Sequence, residues 1–153
     1  MSKAFTRESD AEEDLVLPAR APLPPGVKNY ITPAGAQKLQ DQLARLLVNP
    51  GEKSPSREAR IRQLQEIVAS LVIAEPPVER ETVRFGAIVS VQRGKEIESY
   101  RLVGLDETDL DRNEVSWLSP LAKVLLGKRA GDRVRFRAPG GWEELVILSV
   151  SYS

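Results

Sequence analysis

The chain has 153 residues, of which 41% are hydrophobic, and 22 basic residues balance 22 acidic ones. A chain of this length holds one ordinary domain and a small additional unit. Because the formal net charge is zero, no global field attracts nucleic acid or an anionic membrane, and such binding needs a local patch. The absence of Cys and His excludes disulfides, thiolate nucleophiles, imidazole bases and nearly every type of zinc site.

Residues 1–28 combine an acidic cluster around Glu12 and Glu13 with the proline-rich stretch "LPARAPLPPG". Few of these residues can bury apolar surface, so we expect a disordered leader whose ordering entropy would not be offset. A partner-binding acidic arm is the alternative. The sequence also contains no long apolar run and no apolar segment of a secretion signal, which predicts a cytoplasmic protein with no membrane partner.

Residues 29–75 are expected to form a short antiparallel helical hairpin. Thr32-Pro33 and Ser54-Pro55 each combine a residue that caps free helix amides with proline at the first helical position. Apolar residues then recur at helical spacing, namely Leu39, Leu43, Leu46 and Leu47 in the first arm and Ile61, Leu64, Ile67, Val68 and Leu71 in the second. Asn49-Pro50-Gly51 predicts the bend, and the helical rise gives arms of about 24 Å and 28 Å.

Residues 76–153 change to the alternating pattern of β-strands. "VRFGAIVSVQ" and "IESYRLVGL" flank the turn residues Arg93-Gly94-Lys95, and "DRVRFRA" and "EELVILSVSY" flank Pro139-Gly140-Gly141. Ser119 and Pro120 can start one short helix that Gly127 can end. The pattern predicts an α+β fold, with a curled antiparallel sheet and one short helix following the helical hairpin.

This half contains four motifs in order and separated by short spacers, namely "VRFGAIVSV", "YRLVGLDE", "VSWLSPLAKVLLGKRAGDRV" and "APGGWEELVILSVSY". Together and in register, they closely resemble the C-terminal domain of the bacterial GreA/GreB transcript cleavage factors. "ITPAGAQKLQDQL" also resembles the opening helix of that family. The resemblance implies an FKBP-like domain at residues 76–153 behind an N-terminal coiled coil. It also implies RNA polymerase as the partner, gripped at the rim of its secondary channel.

The tip of the hairpin departs from the family pattern. The family carries there an acidic pair, inside a Gly-Asp-x-x-Glu-Asn-like signature, that helps to hold magnesium and activates hydrolysis of backtracked RNA. In this chain the tip carries Glu52, Lys53 and Arg57, and its only acidic residues are Glu52 and Glu58. Magnesium-assisted phosphoryl chemistry requires well-placed carboxylates.

The family's arms are also much longer than those expected here. We therefore expect a non-enzymatic factor with no catalytic residue, no metal site and no cofactor of its own. Genuine cleavage stimulation, with Glu52 or Glu58 supplying a carboxylate, is the alternative. A peptidyl-prolyl isomerase activity is suggested only by the FKBP-like fold, and a fold does not carry an activity.

The resemblance implies that the Ser-Pro turn faces the polymerase. The candidate binding residues are Trp117, Leu118, Ser119, Pro120 and Lys123. The simpler interpretation is that Ser119 only caps a helix whose first residue is Pro120. Trp117 shares a strand face with Val115, which favours a core or half-buried position for its ring.

Arg133, Arg135 and Arg137 alternate with Val134 and Phe136, which predicts a solvated strand face. Contact with an acidic protein surface or a nucleic acid backbone is the alternative for these arginines. No nucleic-acid recognition motif is present, so we expect nucleic acid to be contacted only indirectly, through the transcription complex.

Overall fold

The computed structural model of the chain describes residues 22–48, 51 and 54–152. Most of the expected leader therefore lies outside the described residues, as do Glu52 and Lys53 of the hairpin tip. Residue contacts divide the chain into two compact units. Among the described residues, the first contains 22–28 and those of Gln37–Leu71, and the second contains Asn29–Ala36 and 72–152.

The first unit is built from two helices of equal length. Helix α1 spans Pro33–Val48, with its first turn belonging to the second unit, and helix α2 spans Pro55–Ser70. Both predicted caps are present. The amide of Gly35 donates to Thr32 Oγ1 over 3.1 Å, and that of Arg57 donates to Ser54 Oγ over 3.1 Å. Neither helix, nor any other in the described part of the chain, is long and apolar enough to cross a membrane.

The apolar stripe is narrower and the second arm shorter than the sequence predicts. Leu39, Leu64 and Ile67 are buried, but Leu47 is 56% exposed. Leu47 follows Leu46 by one residue and therefore points about 100° away from the face that Leu39 and Leu46 share. Helix α2 ends at Ser70, because Leu71 starts a strand rather than continuing the helix, so each 16-residue arm is about 24 Å long.

A small two-stranded sheet lies at the base of the hairpin sequence. Strand β1, Asn29–Ile31, pairs with strand β2, Leu71–Ile73. The amide of Ala74 also donates to the carbonyl of Ile31 over 2.9 Å. These pairings join Asn29–Ile31 to the chain that follows α2, and Asn29–Ala36 and the residues from Val72 onward belong to the second unit. The boundary expected between residues 75 and 76 stays a prediction.

The second unit contains a five-stranded sheet in the order β5-β4-β3-β7-β6. Its strands are β3 Ile88–Arg93, β4 Glu96–Val103, β5 Glu114–Ser116, β6 Arg133–Ala138 and β7 Gly141–Ser151. Three of the four pairs are antiparallel, and β4 with β5 is parallel. Two one-turn 3-10 helices, Leu105–Glu107 and Leu110–Arg112, lie in the connection that returns the chain for this parallel pair.

One face of this sheet is covered by the short helix α3, Pro120–Leu125. Ser119 caps it through its hydroxyl, which accepts from the amide of Ala122 over 3.2 Å. The buried core is formed by Val83, Ala87, Val89, Val91, Tyr100, Leu102, Val115, Leu121, Ala122, Leu125, Val134, Leu145 and Ile147. The predicted α+β class, with a helical hairpin followed by a curled sheet and one short helix, is confirmed, apart from the parallel β4–β5 pair.

Candidate functional site

The turn between β5 and α3 contains three of the five candidate binding residues, Trp117, Leu118 and Ser119, and holds them in a fixed backbone conformation. The amide of Trp117 donates to the carbonyl of Val103 over 2.9 Å, and the amide of Ser119 donates to the carbonyl of Ser116 over 2.9 Å. The amide of Leu118 donates to Ser116 Oγ over 3.1 Å. Since every amide of the turn is bonded within the chain, the turn is ordered before any partner binds.

The side chains of this turn divide into a supporting group and an exposed group. Pro120 and Lys123 are exposed, three residues apart on α3, while Leu118 and Ser119 are half-buried. Residues at this spacing share one side of a helix. The helix cap and the exposed surface therefore coexist, because the Ser119 hydroxyl is engaged by the Ala122 amide while Pro120 and Lys123 face solvent.

Trp117 is half-buried in a cluster of three aromatic rings. Its ring lies edge-on to Tyr30, with centroids 5.3 Å apart, and edge-on to Phe85, with centroids 6.0 Å apart. The Tyr30 and Phe85 rings are themselves 5.9 Å apart. The indole nitrogen of Trp117 is buried and has no hydrogen-bond partner among the described residues. The geometry thus supports the half-buried interpretation of Trp117, whose ring contacts anchor the start of the Ser119-Pro120 turn.

At the hairpin end, Arg57 joins the two helices. Its Nη2 donates to the carbonyl of Leu46 over 2.6 Å, and its backbone amide bonds to Ser54 Oγ. The Leu46 carbonyl lies in the last turn of α1, where carbonyls lack an intrahelical partner and the helix dipole favours a cation. Arg57 therefore closes the bend of the hairpin. Glu52 and Lys53, predicted beside it, lie outside the described residues.

Carboxylates are not clustered within the ranges that the structure describes. No group of three or more Asp and Glu residues close enough to hold a metal ion occurs in residues 22–48, 51 and 54–152. Glu58 is exposed in the first turn of α2, a position where the helix dipole alone favours a negative charge.

Glu107 is a polar residue with a structural role that the sequence did not reveal. Its carboxylate accepts from the Thr32 amide over 2.8 Å, from the Gly104 amide over 2.7 Å, and from the Thr32 hydroxyl. Close approach of the backbone requires glycine nearby, since a Cβ on Gly104 would lie 2.3 Å from the carbonyl oxygen of Tyr30. The one local signal is a glutamate three residues after Gly104, a spacing typical of a capping box.

The chain is similar in sequence to known proteins. The family model "Transcription elongation factor, GreA/GreB, C-term" matches residues 78–152. The transcription elongation factor GreB of Neisseria meningitidis serogroup A / serotype 4A (strain DSM 15465 / Z2491) is 38% identical over 154 aligned residues, which cover 82% of this chain and 94% of the relative. GreA of Acidiphilium cryptum (strain JF-5) is 37% identical over 105 residues, 66% of each chain. The solved structure of a prokaryotic transcription elongation factor GreA/GreB from Nitrosomonas europaea is 25% identical with a TM-score of 0.45, covering 82% of this chain and 100% of the other.

Proposed function

This chain belongs to the GreA/GreB family of transcription elongation factors, and we propose that it binds RNA polymerase at the rim of the secondary channel and regulates elongation without stimulating transcript cleavage. The proposed contact surface is the turn formed by Trp117, Leu118, Ser119, Pro120 and Lys123. Nucleic acid is reached only through the transcription complex.

The order of the turn supports its use in docking. Its three backbone amides are already bonded, so binding immobilises little additional backbone. Pro120 contributes an exposed ring with a fixed backbone angle, and Lys123 contributes an exposed cation beside it. A rigid apolar group next to a charge is suited to an interface with a polar rim.

The proposed lack of cleavage stimulation rests on the short length of the hairpin. Each arm has 16 helical residues and is therefore about 24 Å long. The alignment with the Neisseria GreB spans 154 positions but only 82% of this 153-residue chain, so the relative has residues with no counterpart here. Between Leu47 and Ile61 the sequence offers only Glu52 and Glu58 as carboxylates for a magnesium ion.

Binding is tested with Ser119→Asp. Aspartate is as good an N-cap as serine, so the helix and the stability of the fold are retained while the proposed surface acquires a negative charge. We expect the affinity for core RNA polymerase, measured by competition against a labelled GreB, to fall about tenfold or more. Ser54→Asp is the matched control, because it adds the same charge at the N-cap of α2. Wild-type affinity in Ser119→Asp, or a wild-type chain that does not bind at micromolar concentration, would contradict the proposal.

Cleavage is tested on a stalled, backtracked elongation complex in the presence of magnesium. We expect the chain to release no short 3′ RNA fragments above the intrinsic rate of the complex, while a cleavage-competent GreB releases them in parallel. Fragment release that is lost in Glu52→Gln or in Glu58→Gln would instead establish the cleavage-stimulating alternative.

A further inference from the structure

The hairpin of β6 and β7 extends beyond the rest of the sheet. The register between β3 and β7 ends at the pair Arg93 with Leu145, whereas β7 continues to pair with β6 as far as Gly141 with Ala138. Residues 141–144 of β7 therefore pair only with β6. The two strands are joined by Pro139-Gly140, so this end of the sheet is a two-stranded ribbon closed by a tight turn.

The ribbon carries an exposed tryptophan between two arginines. Trp142 is 60% exposed, although indole is the largest apolar side chain. The guanidinium carbon of Arg135 lies 5.1 Å from the centroid of the indole ring, and that of Arg137 lies 5.9 Å from it. Arg137 is the residue directly opposite Trp142 in the strand register. We call Arg135, Arg137 and Trp142 the arginine–tryptophan patch.

The two arginines of the patch keep their charge available to a partner. The neighbouring carboxylates are already engaged, since Glu144 pairs with Arg133 at 3.2 Å and Glu143 pairs with Arg93 at 3.0 Å. Within residues 22–48, 51 and 54–152, neither Arg135 nor Arg137 has a carboxylate at ion-pair distance. Stacking on indole orients a guanidinium while leaving its N–H groups free to donate.

We propose that the arginine–tryptophan patch is a second docking surface of this chain, and that it takes an acidic polypeptide segment of RNA polymerase. The inference rests on the proposed function, because it names a further contact with the same partner. Charge complementarity carries the choice of occupant, since two uncompensated guanidinium groups can bind carboxylates bidentately. Trp142 supplies the apolar centre, and tryptophan with arginine is the combination enriched in interface residues that dominate affinity.

A polypeptide fits the patch better than a nucleic acid strand does. Affinity for a phosphate backbone comes from a row of cations. Two free arginines on a single strand would give a slope of log affinity against log salt concentration of only about −1.4. The zero net charge of the chain adds no field that would attract a strand from solution. A carboxylate-bearing segment needs only two charge-assisted contacts and the indole surface between them.

The test compares core RNA polymerase binding by the full chain, by Trp142→Ala and by the double variant Arg135→Gln with Arg137→Gln. We expect both to bind about tenfold more weakly than the wild type. The wild type should lose affinity as salt rises, and the double variant should lose less, because its patch has no charge to screen. Ile97→Ala, at a side chain 67% exposed on β4, and Lys95→Gln with Lys128→Gln are the matched controls.

The outcomes separate this inference from the proposed function. If Ser119→Asp weakens binding but the patch variants bind as the wild type does, the second docking surface is overturned while the first contact stands. If the wild type does not bind polymerase, both are overturned. A labelled single-stranded 20-nucleotide RNA is titrated in parallel. Loss of RNA binding by the patch variants with unchanged polymerase affinity would overturn the inference in favour of a nucleic acid site.

Discussion

The Glu107 carboxylate serves donors from two segments that are far apart in the sequence. It accepts hydrogen bonds from the amide and hydroxyl of Thr32, which lies 75 residues before it, and from the amide of Gly104, three residues before it. Within the second unit it thus holds the first turn of α1 against the 3-10 turn that follows β4. Thr32 caps α1 by accepting a hydrogen bond from the amide of Gly35. The Glu107 carboxylate in turn accepts from the amide of Thr32, so both amides at this helix start are bonded.

Removing this carboxylate is expected to destabilise the protein substantially. In Glu107→Ala, two part-buried amides lose a charged acceptor, which should lower the free energy of unfolding by about 2–3 kcal/mol. Urea denaturation followed by circular dichroism measures the change. The control is Glu96→Ala, at an exposed position on β4, which should stay within about 0.5 kcal/mol of the wild type. Equal effects of the two substitutions would contradict the role given to Glu107.

Tyr100 makes the stability of the folded protein depend on pH in the alkaline range. Burial, and then the hydrogen bond that its hydroxyl donates to the Glu98 carboxylate, raise the pKa of Tyr100 to about 12. Below the unfolded pKa of about 10 the phenol is protonated in both states, so the full stability is present. Between about pH 10 and 12 the unfolded chain releases this proton and the folded chain keeps it, so stability falls as pH rises.

Tyr100→Phe should therefore reduce the decline of the urea midpoint over this alkaline range. Part of the decline should remain, because burial also raises the pKa of Tyr152. A pH profile of Tyr100→Phe that runs parallel to that of the wild type up to pH 12 would show that Tyr100 does not carry the effect.

At the scale of elements, the hairpin depends on a few buried residues rather than on its whole apolar stripe. Leu64 is fully buried. Leu64→Ala should therefore lower the free energy of unfolding by about 3 kcal/mol, because apolar burial is lost and a cavity is left behind. Leu47 has the same side chain but is 56% exposed, so Leu47→Ala should change stability by less than about 0.5 kcal/mol. Thermal unfolding followed at 222 nm distinguishes them, and a similar loss in both would mean that the described packing of α2 is wrong.

Local signals in the sequence were sufficient to predict most elements. Thr32, Ser54 and Ser119 each precede proline, and each hydroxyl accepts from the amide three residues later, as the cap pattern requires. The ends of elements were harder to predict. Leu71 continues the helical period of α2, but it is drawn into β2 by pairing with β1, which lies about 40 residues earlier and has no signal in the helical pattern.

The candidate site was likewise predictable in its local part only. The Ser119-Pro120 helix start follows from adjacent residues, whereas the contacts of Trp117 with Tyr30 and Phe85 join three separate stretches of chain. Glu107 was missed for the same reason, since its partners are set by the tertiary fold. Arg135 and Arg137 were correctly predicted on an exposed strand face, but their contact with Trp142 depends on the β6–β7 register.

At the scale of the whole molecule, the two compact units correspond to two separable tasks in the proposed function. The second unit holds both proposed docking surfaces. The first holds the hairpin, and in the proposed function its length and tip chemistry account for the lack of cleavage stimulation. A carboxylate must lie beside the catalytic metal ion to assist it, so acidic residues at the tip have no effect on an arm too short to bring them there. A long arm without acidic residues at its tip is equally ineffective.

This separation predicts the behaviour of two exchanges. Replacing residues 49–54 by a Gly-Asp-x-x-Glu-Asn segment adds carboxylates to an arm that remains about 24 Å long, and it should leave transcript cleavage at the intrinsic rate. Exchanging the whole hairpin for a longer one that carries the Gly-Asp-x-x-Glu-Asn-like signature supplies length and carboxylates together, and it should stimulate cleavage. Both proteins should keep the polymerase affinity of the wild type, because the docking surfaces are unchanged. Cleavage by the first exchange would show that arm length is not what limits this factor.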